Sequence, residues 1–121
     1  MSGLELCEAC SEGDVDYARE LLNKGVDVNC RDESNWTPLM NACFIGDEDT
    51  IMLLIMQEDI DINATDNSGS TAFMQVVLSG NLKAVELMLQ CRSLDILATD
   101  NEKKSAVKYA KERGVHDVTK L

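Results

Sequence analysis

Apolar positions along this chain recur with the period of an α-helix, in short bursts separated by polar, glycine-bearing connections. Ala18, Leu21 and Leu22 form one burst, Ile51, Leu54 and Ile55 a second, and Val85, Met88 and Leu89 a third. Each burst follows Asp14, Asp47 or Asn81, side chains suited to accept from the free amides at a helix start. Directly before these stand Gly13, Gly46 and Gly80, with Gly114 completing a series spaced 33, 34 and 34 residues apart. A glycine there predicts the left-handed stop of a preceding helix. That first helix begins after Thr37, Thr71 or Ser105, which are 34 apart and suited to N-capping, and it runs about two turns. Pro38 occupies the first helical position, where its missing N–H costs nothing. The pattern therefore predicts pairs of short helices joined by tight turns.

The connections repeat as well. Asp32, Asp66 and Asp100 are 34 apart, and Asp66-Asn67-Ser68-Gly69 reads as the turn of an extended finger. Val26-Asp27-Val28-Asn29, Ile60-Asp61-Ile62-Asn63 and Leu94-Asp95-Ile96-Leu97 recur between units, and Ala9-Cys10, Ala42-Cys43, Val76-Val77 and Ala110-Lys111 keep one offset from their glycines. Periods of this length mark stacked repeats. Thr37-Pro38-Leu39-Met40-Asn41-Ala42 resembles the ankyrin signature T-P-L-H-x-A, with Met in place of His. The stretch from Gly80 to Leu89 is similar to that family's second helix, and the VDVN and IDIN strings to the segment leading into its hairpin. The resemblance covers nearly the whole chain. It implies an all-α solenoid, a stack of helix-turn-helix units with short β-hairpin or loop fingers. The expected division is an N-terminal capping unit over 1–32, complete repeats over 33–66 and 67–100, and a shortened capping unit over 101–121. The first unit begins inside its helix near Gly3, and the last replaces the signature with Ser105-Ala106-Val107-Lys108 and places Lys108, Lys111 and Lys120 on helix positions. Polar residues of that kind keep the ends of a solenoid soluble.

Composition agrees with close helix packing, since hydrophobic residues make up 45% of the 121 residues but aromatics only 4%. The core must come from Leu, Val, Ile, Met and Ala. The net charge of −11 disfavours nucleic acid and anionic membranes, whose phosphates would gain no cations. The charge is uneven. Residues 1–32 hold 3 basic and 8 acidic groups, 33–66 hold 0 and 8, 67–100 hold 2 and 3, and 101–121 hold 6 and 3. An acidic front thus precedes a mildly basic tail. No signal-peptide pattern and no membrane-length apolar run is present. Five cysteines (Cys7, Cys10, Cys30, Cys43, Cys91) then read as reduced thiols in a cytoplasmic or nuclear protein, and the sequons at Asn35 and Asn63 as chance matches.

Candidate chemistry is sparse. Cys7 and Cys10 form a CxxC pair, but zinc needs two further ligands and the only histidine, His116, lies at the far end of the stack. Cys10 shares its register with Cys43, where the repeat wants a small buried residue. Asp59-Ile60-Asp61-Ile62-Asn63 mimics the start of a calcium loop yet has Ala64 and Ser70 where Gly and Glu are required. No glycine-rich phosphate cradle and no nucleophile beside a histidine is found, so no cofactor, metal or catalytic activity is expected.

Binding remains. The resemblance implies that finger tips and first helices line a concave surface. By position, these are Glu33, Ser34 and Trp36 on the first finger, Asn67, Ser68 and Ser70 on the second, and Asn101, Glu102 and Lys104 on the third. On the first helices the matching pairs are Ser11-Glu12, Phe44-Ile45, Leu78-Ser79 and Glu112-Arg113. Trp36, Phe44, Ile45 and Leu78 stand out as large apolar residues where polar ones are usual, which points to a contact patch. The structural alternative packs Trp36 along its own finger and Phe44 between helices. The acids Glu33, Asp47, Glu48, Asp49, Glu58, Asp59 and Asp61 suggest a field that speeds encounter with a basic partner, with solubility as the plainer use. The expectation is a protein-interaction module, monomeric alone, acting as adaptor or occluding inhibitor. Head-to-tail self-association through the acidic front and basic tail is the rival, and a Cys7/Cys10 thiol or metal enzyme a distant third.

Overall fold

The computed structural model describes residues 3–114. Seven helices follow one another: α1 (Gly3–Ser11), α2 (Val15–Asn23), α3 (Pro38–Ile45), α4 (Glu48–Ile55), α5 (Ala72–Ser79), α6 (Leu82–Leu89) and α7 (Ala106–Arg113). Their ends are set by the residues that the repeat supplies. Thr37, Thr71 and Ser105 accept from the amides of Met40, Met74 and Lys108, and Asp14, Asp47 and Asn81 cap α2, α4 and α6 in the same way. The Met that departs from the signature keeps a capping function, since the Thr37 amide donates to Met40 Sδ at 3.5 Å. Gly46, Gly80 and Gly114 close α3, α5 and α7 in the left-handed region. A side chain there would be strained. The second helix expected after Gly114, with Lys120, lies outside the described residues.

The helices pack in two rows. First helices α1, α3, α5 and α7 stack on their neighbours, as do second helices α2, α4 and α6, and the core fills the space between the rows. Ala9, Ala42, Val76 and Ala110 share one register and are at most 2% exposed. Small side chains at that register let successive first helices approach at native packing density. Leu6, Leu21, Leu39, Ile51, Leu54, Val85 and Met88 fill the remainder. Each such side chain contributes about 1.5–3 kcal/mol by leaving water.

Single antiparallel bridges, Thr65 with Thr71 and Thr99 with Ser105, close the second and third fingers, and no longer strand forms among the described residues. The repeated aspartate makes each turn. Asp32, Asp66 and Asp100 each receive two amides on Oδ1, from Ser34 and Trp36, from Ser68 and Ser70, and from Glu102 and Lys104, at 2.9–3.0 Å. The turn also needs one left-handed residue, and Asn35 (φ 61°), Gly69 (φ 74°) and Lys103 (φ 65°) supply it.

Adjacent units are laced together. Asn29 accepts from the Asp61 amide at 2.8 Å and donates to the Asp59 carbonyl at 2.7 Å. Asn63 repeats this with the Asp95 amide and the Ser93 carbonyl at the same distances. At the finger tips Asn35 donates to Asn67 Oδ1, and Asn101 donates to the carbonyls of Asn67 and Ser68. Gly69 permits the last approach, because a Cβ there would lie 2.6 Å from Asn101 Oδ1.

Candidate interaction site on the finger face

The fingers and first helices line two adjoining grooves that share Trp36 as a wall. One, of about 320 Å³, is formed by Ser11, Asp32, Ser34, Asn41, Phe44 and Ile45 with Trp36. The other, of about 600 Å³, runs between the second and third fingers over Asp66, Ser68, Leu78, Asp100, Glu102 and Tyr109. Trp36 is half-buried and its indole N–H donates to Asp66 Oδ2 at 2.9 Å, so it ties the first finger to the second. Its ring meets Phe44 edge-on, centroids 5.4 Å apart at 65°. Phe44 nevertheless stays 58% exposed, and Ile45 44%. Leu78 is half-buried in the second groove. The four apolar candidates thus divide into two exposed residues and two that also build the scaffold.

The polar candidates divide too. Glu33, Ser34, Asn67, Ser68, Asn101 and Glu102 have exposed positions, with the Ser34 and Ser68 side chains at the tips. Ser70 accepts from Gln75 Nε2 at 2.9 Å, and Ser79 donates to the Val76 carbonyl at 2.6 Å and accepts from the Asn81 amide. Lys104 is held within its own unit, by Glu112 at 3.3 Å, Glu102 at 3.8 Å and the face of Tyr109 at 5.4 Å. Tyr109 donates to Asp100 Oδ2, and this bond, with burial, pushes its hydroxyl up to about 12. Burial alone would raise the Asp100 carboxyl. The bonds from Tyr109 and the amides of Lys104 and Glu102 outweigh it and hold the group below its ordinary value. Sequence reasoning missed Asp66, Asp100 and Tyr109 as groove residues, although the recurring aspartate was itself a signal.

Of the acids of the second unit, Asp66 bonds to Trp36, whereas the Asp47-Glu48-Asp49 cluster lies away from it. Asp47 caps α4 and also accepts from the Thr50 hydroxyl, while Glu48 and Asp49 line a hollow between α4 and α6. The cysteines are built into the packing. Cys7, Cys10 and Cys43 are buried; burial, chiefly, pushes Cys10 up to about 12 and Cys43 higher still. The free thiols of Cys7 and Cys30 donate to the carbonyls of Trp36 at 3.6 Å and Gly3 at 3.4 Å, and their mutual interaction raises Cys7 and lowers Cys30. Thiols held protonated are poor nucleophiles and poor metal ligands.

A family model of ankyrin repeats, in three copies, matches residues 6–100. The chain belongs to the ankyrin-repeat family. It is 45% identical over 51 residues to the mouse 2-5A-dependent ribonuclease, covering 41% of this chain and 7% of that protein. It is 38% identical over 53 residues to the ankyrin repeat-containing protein YIL001W of Saccharomyces cerevisiae, covering 44% of this chain and 10% of the relative. The likeness is therefore to one stretch of repeats in much longer proteins. Ankyrin repeats generally mediate protein–protein interaction and are generally not enzymes. No helix among the described residues is long and apolar enough to cross a membrane.

Proposed function

We infer that this ankyrin-repeat protein binds a partner protein through its finger face, with Phe44, Ile45 and Trp36 as the anchor. The carrying observation is that Phe44 and Ile45 stay largely exposed in a groove whose far wall, Trp36, is fixed by the Asp66 bond. A large apolar side chain kept in water on a rigid support gains its free energy only when something covers it. A preorganised anchor also lowers the ordering cost of association. Carboxylates at Asp32, Asp66, Asp100 and Glu102 line the two grooves, so the partner's rim would carry Lys or Arg and none of its phosphates. Bound there, the chain acts by occlusion or as an adaptor, in the cytoplasm or nucleus, where its thiols stay reduced.

Quantitative affinity capture tests this with wild type beside Phe44→Ser/Ile45→Ser. Both residues lie outside the core, so the variant is expected to stay folded and to lose little more than the Phe44 edge contact with Trp36, about 0.5–1 kcal/mol. Proteins captured by wild type and absent from the variant would support the reading. Identical capture by the two would end it.

A further inference from the structure

The second-helix row carries an apolar feature built from none of the residues that line the finger grooves. Register makes it visible. One turn into each second helix the outward position is Arg19 in α2 and Glu86 in α6, but Met52 in α4. The next outward position is Asn23 and Gln90, but Met56. Met52 is 44% exposed and Met56 72%, so neither fills the core. Four residues apart, they form a short stripe about 6 Å long, parallel to the helix axis.

A hollow flanks each methionine. Met52 and Leu87 share one of about 270 Å³ with Glu48, Asp49, Lys83 and Glu86. Met56, Leu22 and Val26 share another of about 430 Å³ with Asp27, Glu58 and Asp59. The two together hold six carboxylates against one ammonium. Hollows with an apolar side chain or two at the methionine and an almost wholly negative rim exclude nucleic acid and anionic lipid, and they complement a cationic partner. The Met52–Met56 stripe has the spacing at which helical side-chain ridges pack, and no unpaired strand is present among the described residues to take an extended peptide.

We propose that α4 and its two flanking hollows dock a basic amphipathic helix of a partner protein. Aliphatic side chains three and four residues apart seat around Met52 and Met56, and Lys or Arg on the helix flanks meet Glu48, Asp49, Glu86, Glu58 and Asp59. Thioethers suit this role because they are flexible and polarisable, and they fit several apolar shapes. The argument rests on the second-helix row, α4 with its flanks on α2 and α6, and holds whether or not the finger face binds a protein. With both surfaces occupied, the chain bridges two partners.

The probe is a synthetic peptide about five turns long with Leu on one face and Lys on the other. Titrated into the full chain carrying 13C-methyl methionine, it is expected to shift the Met52 and Met56 methyl resonances and leave the Trp36 indole unmoved. Met52→Gln/Met56→Gln, whose substituted side chains are outside the core, is expected to keep the wild-type melting curve and weaken binding about tenfold. A control peptide with Ala replacing Leu and all Lys retained is expected to bind at least about tenfold less tightly. Asp49→Lys/Glu86→Lys gives an independent loss through charge. Equal binding by the methionine variant, equal binding of the Ala peptide, or shifts confined to the finger face would each overturn the proposal.

Discussion

Trp36 stands at the meeting of scaffold and site, and a double-mutant cycle separates its two uses. Its indole N–H reaches the Asp66 carboxylate at 2.9 Å, with both residues half-buried. A hydrogen bond to a charged acceptor is worth roughly 1.5–3 kcal/mol when buried, so water competing at this half-open position leaves about 1 kcal/mol. Trp36→Phe removes that bond and keeps most of the ring. Trp36→Ala also loses about 100 Å² of buried apolar surface, or about 2.5 kcal/mol, and an edge contact with Phe44 worth about 0.5–1 kcal/mol. The expected losses are therefore about 1 kcal/mol for Phe and about 4 kcal/mol for Ala. Asp66→Ala costs more than the Phe variant, since the Ser68 and Ser70 amides lose their acceptor as well. Urea unfolding followed by circular dichroism gives the four corners of the Trp36→Phe, Asp66→Ala cycle, with an expected coupling of about 1 kcal/mol. Additivity within about 0.3 kcal/mol would mean that the indole bond does not form in solution, and the fixed-wall argument for the groove would fall with it.

Asn63→Ala removes two bonds between units and should cost about 2 kcal/mol in urea unfolding, whereas Leu97→Asn, at the same register but 76% exposed, should leave stability unchanged. Lys103 holds a left-handed φ of 65°, so Lys103→Gly should raise stability by about 0.5 kcal/mol, while Gly69→Ala, whose Cβ would press on Asn101, should lower it. Tyr109 ionises only towards pH 12, so its hydroxyl's contribution is complete below the ordinary tyrosine range and fades as pH rises through 12; ultraviolet titration of Tyr109→Phe should lack this late step. Asp100, held low, has the opposite sign: its contribution is present above the ordinary carboxyl range and is lost on acidification, and Asp100→Asn should flatten that limb of the stability curve. Limited alkylation with peptide mapping should mark Cys30 first, because its thiol is lowered and half-exposed while Cys7, Cys10 and Cys43 are buried and raised.

Local signals were legible because their partners are near in sequence. Thr37, Asp47, Thr71, Asn81 and Ser105 each cap a helix three residues on, and Gly46 and Gly80 take the left-handed stop that their register required. Contacts between units were not legible. Asn29 looks like a turn residue, and nothing local says that its amide joins a loop 30 residues ahead. The same holds for Trp36 and Asp66, where one side chain reads as exposed anchor or as brace, and is both. Phe44 and Leu78 share a register and a chemistry, yet only the surroundings decide that one is exposed and the other half-covered. Charge counting grouped the acids of the second unit with Trp36. Capping geometry instead turns Asp47, Glu48 and Asp49 towards the second-helix row.

The asparagine contacts at the finger tips also bear on how this surface can change. Asn35, Asn67 and Asn101 hold neighbouring fingers in register, while Ser34, Ser68 and Glu102, one residue to either side, are exposed and meet the Asp turn through their amides, with one exposed side-chain pairing, Glu102 to Lys104. Recognition and alignment therefore occupy alternate positions along each tip. A library that randomises Ser34, Ser68 and Glu102 and leaves the asparagines alone would sample new specificities on an undisturbed frame. One that randomises whole tips would spend most of its members on misaligned fingers.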